Sequence, residues 1–159
     1  TVIATASPEK LDQLKELGAD YAVDHRKEDW HKEVFKISKE LAKEKGEAPG
    51  IDVIFEHIGG SHFNKELTLL KYGATMVTTG ATTGYDVPAD LRQIFFKGIN
   101  ILGSTQGTRA ELEEGFYWMG QGKIKVIIDS IFTFENAVDA HNKMLNGKGL
   151  VGKIILKPE

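Results

Sequence analysis

The sequence predicts an α/β fold, a doubly wound parallel sheet. Short β-branched runs recur along its 159 residues, amphipathic stretches of helical length separate them, and glycine or proline stands at most joints. Connections of that length cannot close a hairpin, so successive strands must cross over and lie parallel, with helices on both faces.

Val2-Ile3-Ala4-Thr5 reads as the first strand; it stops at Ser7-Pro8, and Pro8 opens a helix carrying Leu11, Leu14 and Leu17 at helical spacing. Gly18 closes that helix, and Tyr21-Ala22-Val23 forms a second strand ahead of the charged Asp24-His25-Arg26-Lys27. Trp30, Val34, Ile37 and Leu41 line one face of a helix whose Lys- and Glu-rich back is a solvated surface. Gly46 to Gly50, with Pro49, breaks it before the strand Ile51–Phe55. Phe63, Leu67 and Leu70 form the next helical stripe, Gly73 punctuates, and Ala74–Thr79 is a strand. Leu91, Ile94 and Phe95 mark a short helix, Ile99–Leu102 a strand, and Leu112, Phe116 and Met119 a helix ending near Gly120 or Gly122. That spacing assigns Phe116 and Trp118 to the core rather than to a base-stacking platform. After apolar Ile124 to Phe134 come a helix from about Glu135 to Leu145 and a strand, Lys153–Leu156. No linker or repeat interrupts the series, so one continuous domain is expected.

Composition narrows the function classes. Twenty Lys and Arg against twenty-three Asp and Glu leave a net charge of −3, with no basic field to draw nucleic acid or anionic lipid, so a small-molecule partner is expected. No apolar run reaches the roughly 18–20 residues of a membrane span, and no basic flank marks a leader. The absence of cysteine suits a reducing cytosol, and a cytoplasmic protein is expected.

Gly147-Lys148-Gly149-Leu150-Val151-Gly152 spells G-x-G-x-x-G, but it follows a helix and precedes a strand. Phosphate binding needs the reverse order, a strand feeding the turn and a helix N-terminus after it, so this segment reads as a helix-to-strand turn. A phosphate-binding glycine turn is then expected in a first strand-helix unit upstream of Val2–Thr5, making this a dinucleotide-binding fold truncated at its N-terminus.

Thr5-Ala6-Ser7-Pro8-Glu9-Lys10 with Leu17-Gly18-Ala19-Asp20, Ile51 to Gly60, Gly80-Ala81-Thr82-Thr83-Gly84, Leu102-Gly103-Ser104 and Gly152 to Leu156 occur in that order. In this series the chain resembles the medium-chain dehydrogenase/reductase superfamily, the zinc alcohol dehydrogenases with the quinone and enoyl-thioester reductases. The resemblance implies a Rossmann-type NAD(P)-binding domain over residues 1–159. Its last strand, 153–157, would pack on a catalytic domain outside this sequence, and any zinc would belong to that domain. It also implies a dimer paired through Ile99–Leu102.

In dinucleotide folds an acid at the end of the second strand binds the ribose 2′-hydroxyl, whereas a small residue with nearby Lys or Arg suits a 2′-phosphate. Here the strand ends Thr5-Ala6-Ser7 with Lys10 in the first helical turn, which favours NADP(H) over NAD(H). Ser7 followed by Pro8 is also a helix-capping pair, and the two roles are compatible. His25 at the next strand end, and Lys148 from the C-terminal turn, are further candidates for the adenosine phosphate. His57, Ile58, Gly59 and Gly60 follow a buried strand where glycine permits close approach of ribose or nicotinamide, although a plain turn explains the glycines too. His57 and His62 are too few to hold a metal. Thr79, Gly80 and Ala81, and then Gly103 and Ser104, end the following strands and face the same crevice. Arg109 is expected to pair with Glu113.

The expected function is the cofactor-binding part of an oxidoreductase that moves a hydride between NADP(H) and an alcohol or carbonyl, or an activated C=C in a quinone, enone or enoyl thioester. No catalytic residue is assigned within the sequence, and the segment alone is expected to be inactive. The alternative class is a non-catalytic nucleotide-sensing module of the same fold.

Overall fold

The computed structural model describes residues 1–147 and 149–158. Its Cα framework forms two compact units, Thr1–Gln106 and Gly107–Glu159. The first contains β1 (Ile3–Ala6), a 3₁₀ turn (Pro8–Lys10), α1 (Leu11–Glu16), β2 (Tyr21–Asp24), α2 (Trp30–Lys45), β3 (Ile51–Glu56), α3 (His62–Leu69), β4 (Leu70–Thr78), α4 (Leu91–Lys97) and β5 (Asn100–Gly103). The second contains α5 (Arg109–Gly120), β6 (Ile128–Thr133), α6 (Ala137–Asn146) and β7 (Lys153–Lys157).

Each ladder among the described residues is parallel, as helix-length connections require. In the first unit β1 pairs with β2, and β3, β4 and β5 form a three-stranded sheet in that order; in the second, β6 pairs with β7. α1 packs against β1 and β2, α2 against β2 and α3, and α3 and α4 against β4. Two buried clusters form the core. Leu67 and Leu70 pack with Ala74, Met76 and Ile99 in one cluster, and Val23, Trp30, Val34 and Leu69 form another, with Ile54 touching both.

Two expectations change. Leu70 opens β4 instead of closing α3, because the strand begins four residues before Ala74 and pairs Leu70 with Ile51. Gly73, at φ 71°, sits inside that strand, and the ladder shifts register between Ile51 and Val53. Phe116 and Trp118 are not core residues: they are 58 % and 40 % exposed, and α5 buries no residue. Periodicity specifies a helix with an apolar stripe, not a neighbour to cover it. What starts α5 is a reciprocal cap in which Thr108 and Glu111 each bond the other's backbone N–H.

Candidate functional site

The strand ends converge. The carbonyl of Ala6, last in β1, accepts from His25 N at 3.1 Å just past β2. The His25 ring meets the His62 ring edge-on at 5.6 Å, and His62 opens α3 directly after the loop leaving β3. The carboxyl ends of β1 and β2 therefore lie on the same side as that of β3. Trp30 stacks on His62 at 5.4 Å, and burial, followed by the charges of His25 and Lys65, pulls the His62 imidazole below its ordinary pKa.

At the tip of β1, Ser7 is buried in the cap position before Pro8, yet its hydroxyl makes no capping bond; its carbonyl accepts from Lys10 N at 3.0 Å. Two guanidinium nitrogens of Arg26 reach the two Glu9 carboxyl oxygens at 2.9 and 3.2 Å. Hydrogen bonding from its own backbone, then the Ser7 hydroxyl and Arg26, hold the Glu9 carboxyl below its usual range. Sequence reasoning missed this pair. Its signal is the run of charges after β2, which the register Ala6↔Asp24 sets beside the residues after β1.

Glu56 closes β3 and is 2 % exposed. One carboxyl oxygen accepts from Ile58 N at 2.6 Å and Gly59 N at 2.5 Å, and the other from the Thr78 hydroxyl at 3.1 Å. A buried acid anchoring two loop amides was also missed, although in sequence it is the acid that ends an apolar strand three residues before a pair of glycines.

That loop is bonded along its length to the next. Thr79 N donates to Glu56 O at 2.8 Å; Thr82 donates to His57 O from N at 3.2 Å and Oγ1 at 2.9 Å; Thr83 donates to Ile58 O from N at 2.8 Å and Oγ1 at 2.9 Å. A Cβ on Gly59, at φ 69°, would stand 2.3 Å from Gly84 O, and one on Gly60, at φ 53°, 2.6 Å from Thr83 Oγ1. The neighbouring loop thus accounts for both glycines. Gly59→Ala is expected to lower stability by about 1–2 kcal/mol from the left-handed backbone alone, read by urea unfolding. Gly80 sits against His57 O, Ala81 is exposed beside it, and Ser104 N, after Gly103, donates to Thr78 O at 2.9 Å.

The structure brings together Ser7, Lys10 and His25 at one group of strand ends and His57 to Gly60, Thr79 to Ala81, Gly103 and Ser104 at the other. Lys148 lies outside the described residues. The G-x-G-x-x-G run around it stands between α6 and β7: Gly147 caps α6 at φ 56°, and a Cβ on Gly152 would meet Ile127 O at 2.3 Å. Arg109 Nε donates to Glu113 at 2.7 Å, the i,i+4 pair expected. Among the described residues no three His, Cys, Asp or Glu side chains are placed to hold a metal ion, so these residues do not fit zinc.

Parallel strands joined by helical crossovers, with polar loops gathered at their carboxyl ends, define a Rossmann-type α/β domain of the medium-chain dehydrogenase/reductase superfamily. Within it the chain belongs to the zinc-binding dehydrogenase family, whose sequence profile matches residues 1–121. Among curated relatives, it is 30 % identical to dehydrogenase FUB6 of Fusarium oxysporum f. sp. lycopersici, over 98 % of this chain and 45 % of that protein. It is 33 % identical to the quinone oxidoreductase of Pongo abelii, over 79 % of this chain and 39 % of that one. A crystal structure of an NAD-dependent alcohol dehydrogenase superposes with a TM-score of 0.83 at 29 % identity, covering 98 % of this chain and 43 % of that one. The chain spans less than half the length of these proteins.

Proposed function

We propose that residues 1–159 form the cofactor-binding part of an NADP(H)-dependent oxidoreductase. The complete enzyme would transfer a hydride between nicotinamide and an alcohol or carbonyl, or the activated C=C of a quinone, enone or enoyl thioester. The observation that carries this reading is the convergence of polar strand-end loops on one side of a parallel fold in this family.

The donor set at the β1 tip suits a nicotinamide dinucleotide phosphate: buried Ser7 and Lys10 follow β1, and the register of β1 on β2 brings the Arg26 guanidinium onto Glu9 between them. The cofactor supplies the hydride chemistry. Ser7, Lys10 and Arg26, with His25 and Lys148, would hold the adenosine phosphate. His57 to Gly60 would let the ribose and nicotinamide approach closely, with Ile58 packing on the ring, and the loops at Thr79 to Ala81 and at Gly103 and Ser104 would orient the carboxamide. Proton supply to the substrate, and any zinc, is assigned to a catalytic domain outside these residues, on which the free edge of β7 would pack. The edge strand β5 would pair across a two-fold axis in a homo-oligomer, and a cytoplasmic setting is consistent with a cysteine-free sequence.

In the complete enzyme, NADPH binds more tightly than NADH, and Lys10→Ala or Arg26→Ala weakens NADPH roughly tenfold or more, the worth of a charged hydrogen bond of about 1.5–3 kcal/mol. Titration of both nucleotides checks it; an unmutated protein preferring NADH ends the cofactor assignment. Hydride transfer is checked by following NADPH oxidation against an aldehyde, a quinone, an enone and an enoyl thioester. Binding without turnover on any of them would leave the nucleotide-sensing alternative.

A further inference from the structure

The guanidinium proposed for the adenosine phosphate already holds an anion, and that anion belongs to the chain. Arg26 Nη2 donates to Glu9 Oε1 at 2.9 Å and Nη1 to Oε2 at 3.2 Å, the two-point grip with which a guanidinium also takes a phosphate. The Ser7 hydroxyl lies close enough to help hold the same carboxyl below its usual range, after the residue's own backbone N–H, so Glu9 is ionised at neutral pH. The Glu9 carboxylate thus engages two of the donors at the β1 tip, where a phosphate reaching both would place its oxygens.

Two backbone features hold the pair in place. Ala6 lies opposite Asp24, so the residues that follow β1 and β2 leave their strands side by side. The Asp24 carboxyl accepts from Arg26 N at 2.9 Å and fixes the turn from which the guanidinium extends. The charged side chains themselves are at the surface, Arg26 60 % and Glu9 36 % exposed. An exposed ion pair contributes between nothing and about fivefold to an equilibrium. A charged hydrogen bond to a phosphate contributes about tenfold or more. A phosphate arriving at the β1 tip therefore displaces the carboxylate, and its affinity is lowered by what the displaced pair was worth.

We infer that Glu9 is a specificity-determining residue, an internal competitor that occupies the Arg26 guanidinium until a 2′-phosphate displaces it. The inference rests on the NADP(H) reading above. NADH carries a 2′-hydroxyl and leaves the pair intact, so Glu9 weakens NADPH alone and narrows the preference between the two nucleotides. The loss seen on Arg26→Ala is accordingly what remains of the guanidinium's contribution after this competition.

The test measures, by calorimetry on the complete enzyme, the binding of two matched pairs: NADPH against NADH, and adenosine 2′,5′-bisphosphate against adenosine 5′-monophosphate. Glu9→Gln keeps the length of the side chain and removes its charge. It is expected to tighten NADPH and the bisphosphate about three- to fivefold and to leave NADH and the monophosphate within about twofold. In an Arg26→Ala background the same substitution is expected to change none of the four by more than about twofold, because the competitor then has nothing to occupy. Unchanged or weaker NADPH binding in Glu9→Gln, with Lys10→Ala and Arg26→Ala still weakening it, overturns this inference and leaves the cofactor assignment standing. A gain of equal size in the Arg26→Ala background also overturns it, since the carboxylate then acts by repulsion and not through the guanidinium. Tighter binding of NADH than of NADPH by the unmutated enzyme overturns both.

Discussion

Glu56→Ala is expected to lower the unfolding free energy by about 2–4 kcal/mol, because it strands the buried Gly59 amide and the partly buried Ile58 amide, at roughly 1–3 kcal/mol for a fully buried group, and removes the partner of the Thr78 hydroxyl. The Ile58 and Gly59 N–H groups receive no other acceptor from this loop, and Glu56 itself is almost wholly enclosed. Against a typical total of about 5–15 kcal/mol, such a loss would leave the chain marginally folded at room temperature. Glu56→Gln keeps one accepting oxygen in place and should lose about half as much. Urea unfolding of the three proteins measures the difference, and exchange at the Ile58 and Gly59 amides localises it. A loss under about 1 kcal/mol for Glu56→Ala would show that the loop holds its shape without the carboxyl.

Glu66→Gln is expected to act in the opposite direction, raising stability at pH 8 while changing it little at pH 4.5. Burial, with the charge of Glu56 second, lifts the Glu66 carboxyl from 4.5 to about 7. Below pH 4.5 the group is protonated in folded and unfolded chains alike and contributes nothing. As pH rises toward 7, the unfolded chain releases a proton that the folded chain keeps, so stability falls; above 7 the loss is complete, on the order of 3 kcal/mol. Glutamine cannot ionise and should escape it, gaining roughly 6–12 °C in Tm at pH 8 for a chain of this size. His31 and His62, both lowered chiefly by burial, oppose this trend below their ordinary value of 6.5, since the unfolded chain then takes up protons the folded one refuses. Both histidines remain in the variant and cancel in the comparison. An equal difference between the two proteins at pH 4.5 and pH 8 would contradict ionisation as its cause.

Much of this was legible in the residues. Alternating β-branched runs and helical stripes specify the parallel ladders, because period and connection length constrain pairing directly. The start of β4 was not legible, since Gly73 reads as a stop when it lies within the strand and Leu70 continues the stripe of α3. The bareness of α5 was equally hidden: Phe116 and Trp118 have core spacing, but spacing carries no information about what stands opposite. At the site, the strand-end residues could be named from their place in the pattern. The bond between Glu9 and Arg26 could not, because seventeen positions separate them and only the register of β1 on β2 brings them together. Glu56 was visible as an acid, but its two amide partners depend on a loop that turns back through left-handed glycines.

The threonines that tie residues 79–84 to residues 56–60 have a further effect. Six bonds from Thr79, Thr82 and Thr83 join the two loops. Their conformational freedom is surrendered at folding, so a guest bound there gives up less entropy on arrival and its residence owes more to contacts than to rearrangement. Stiffness of this kind is built by hydroxyls on one segment and bare carbonyls on the other, and a Thr82→Val, Thr83→Val pair would soften it without altering its volume.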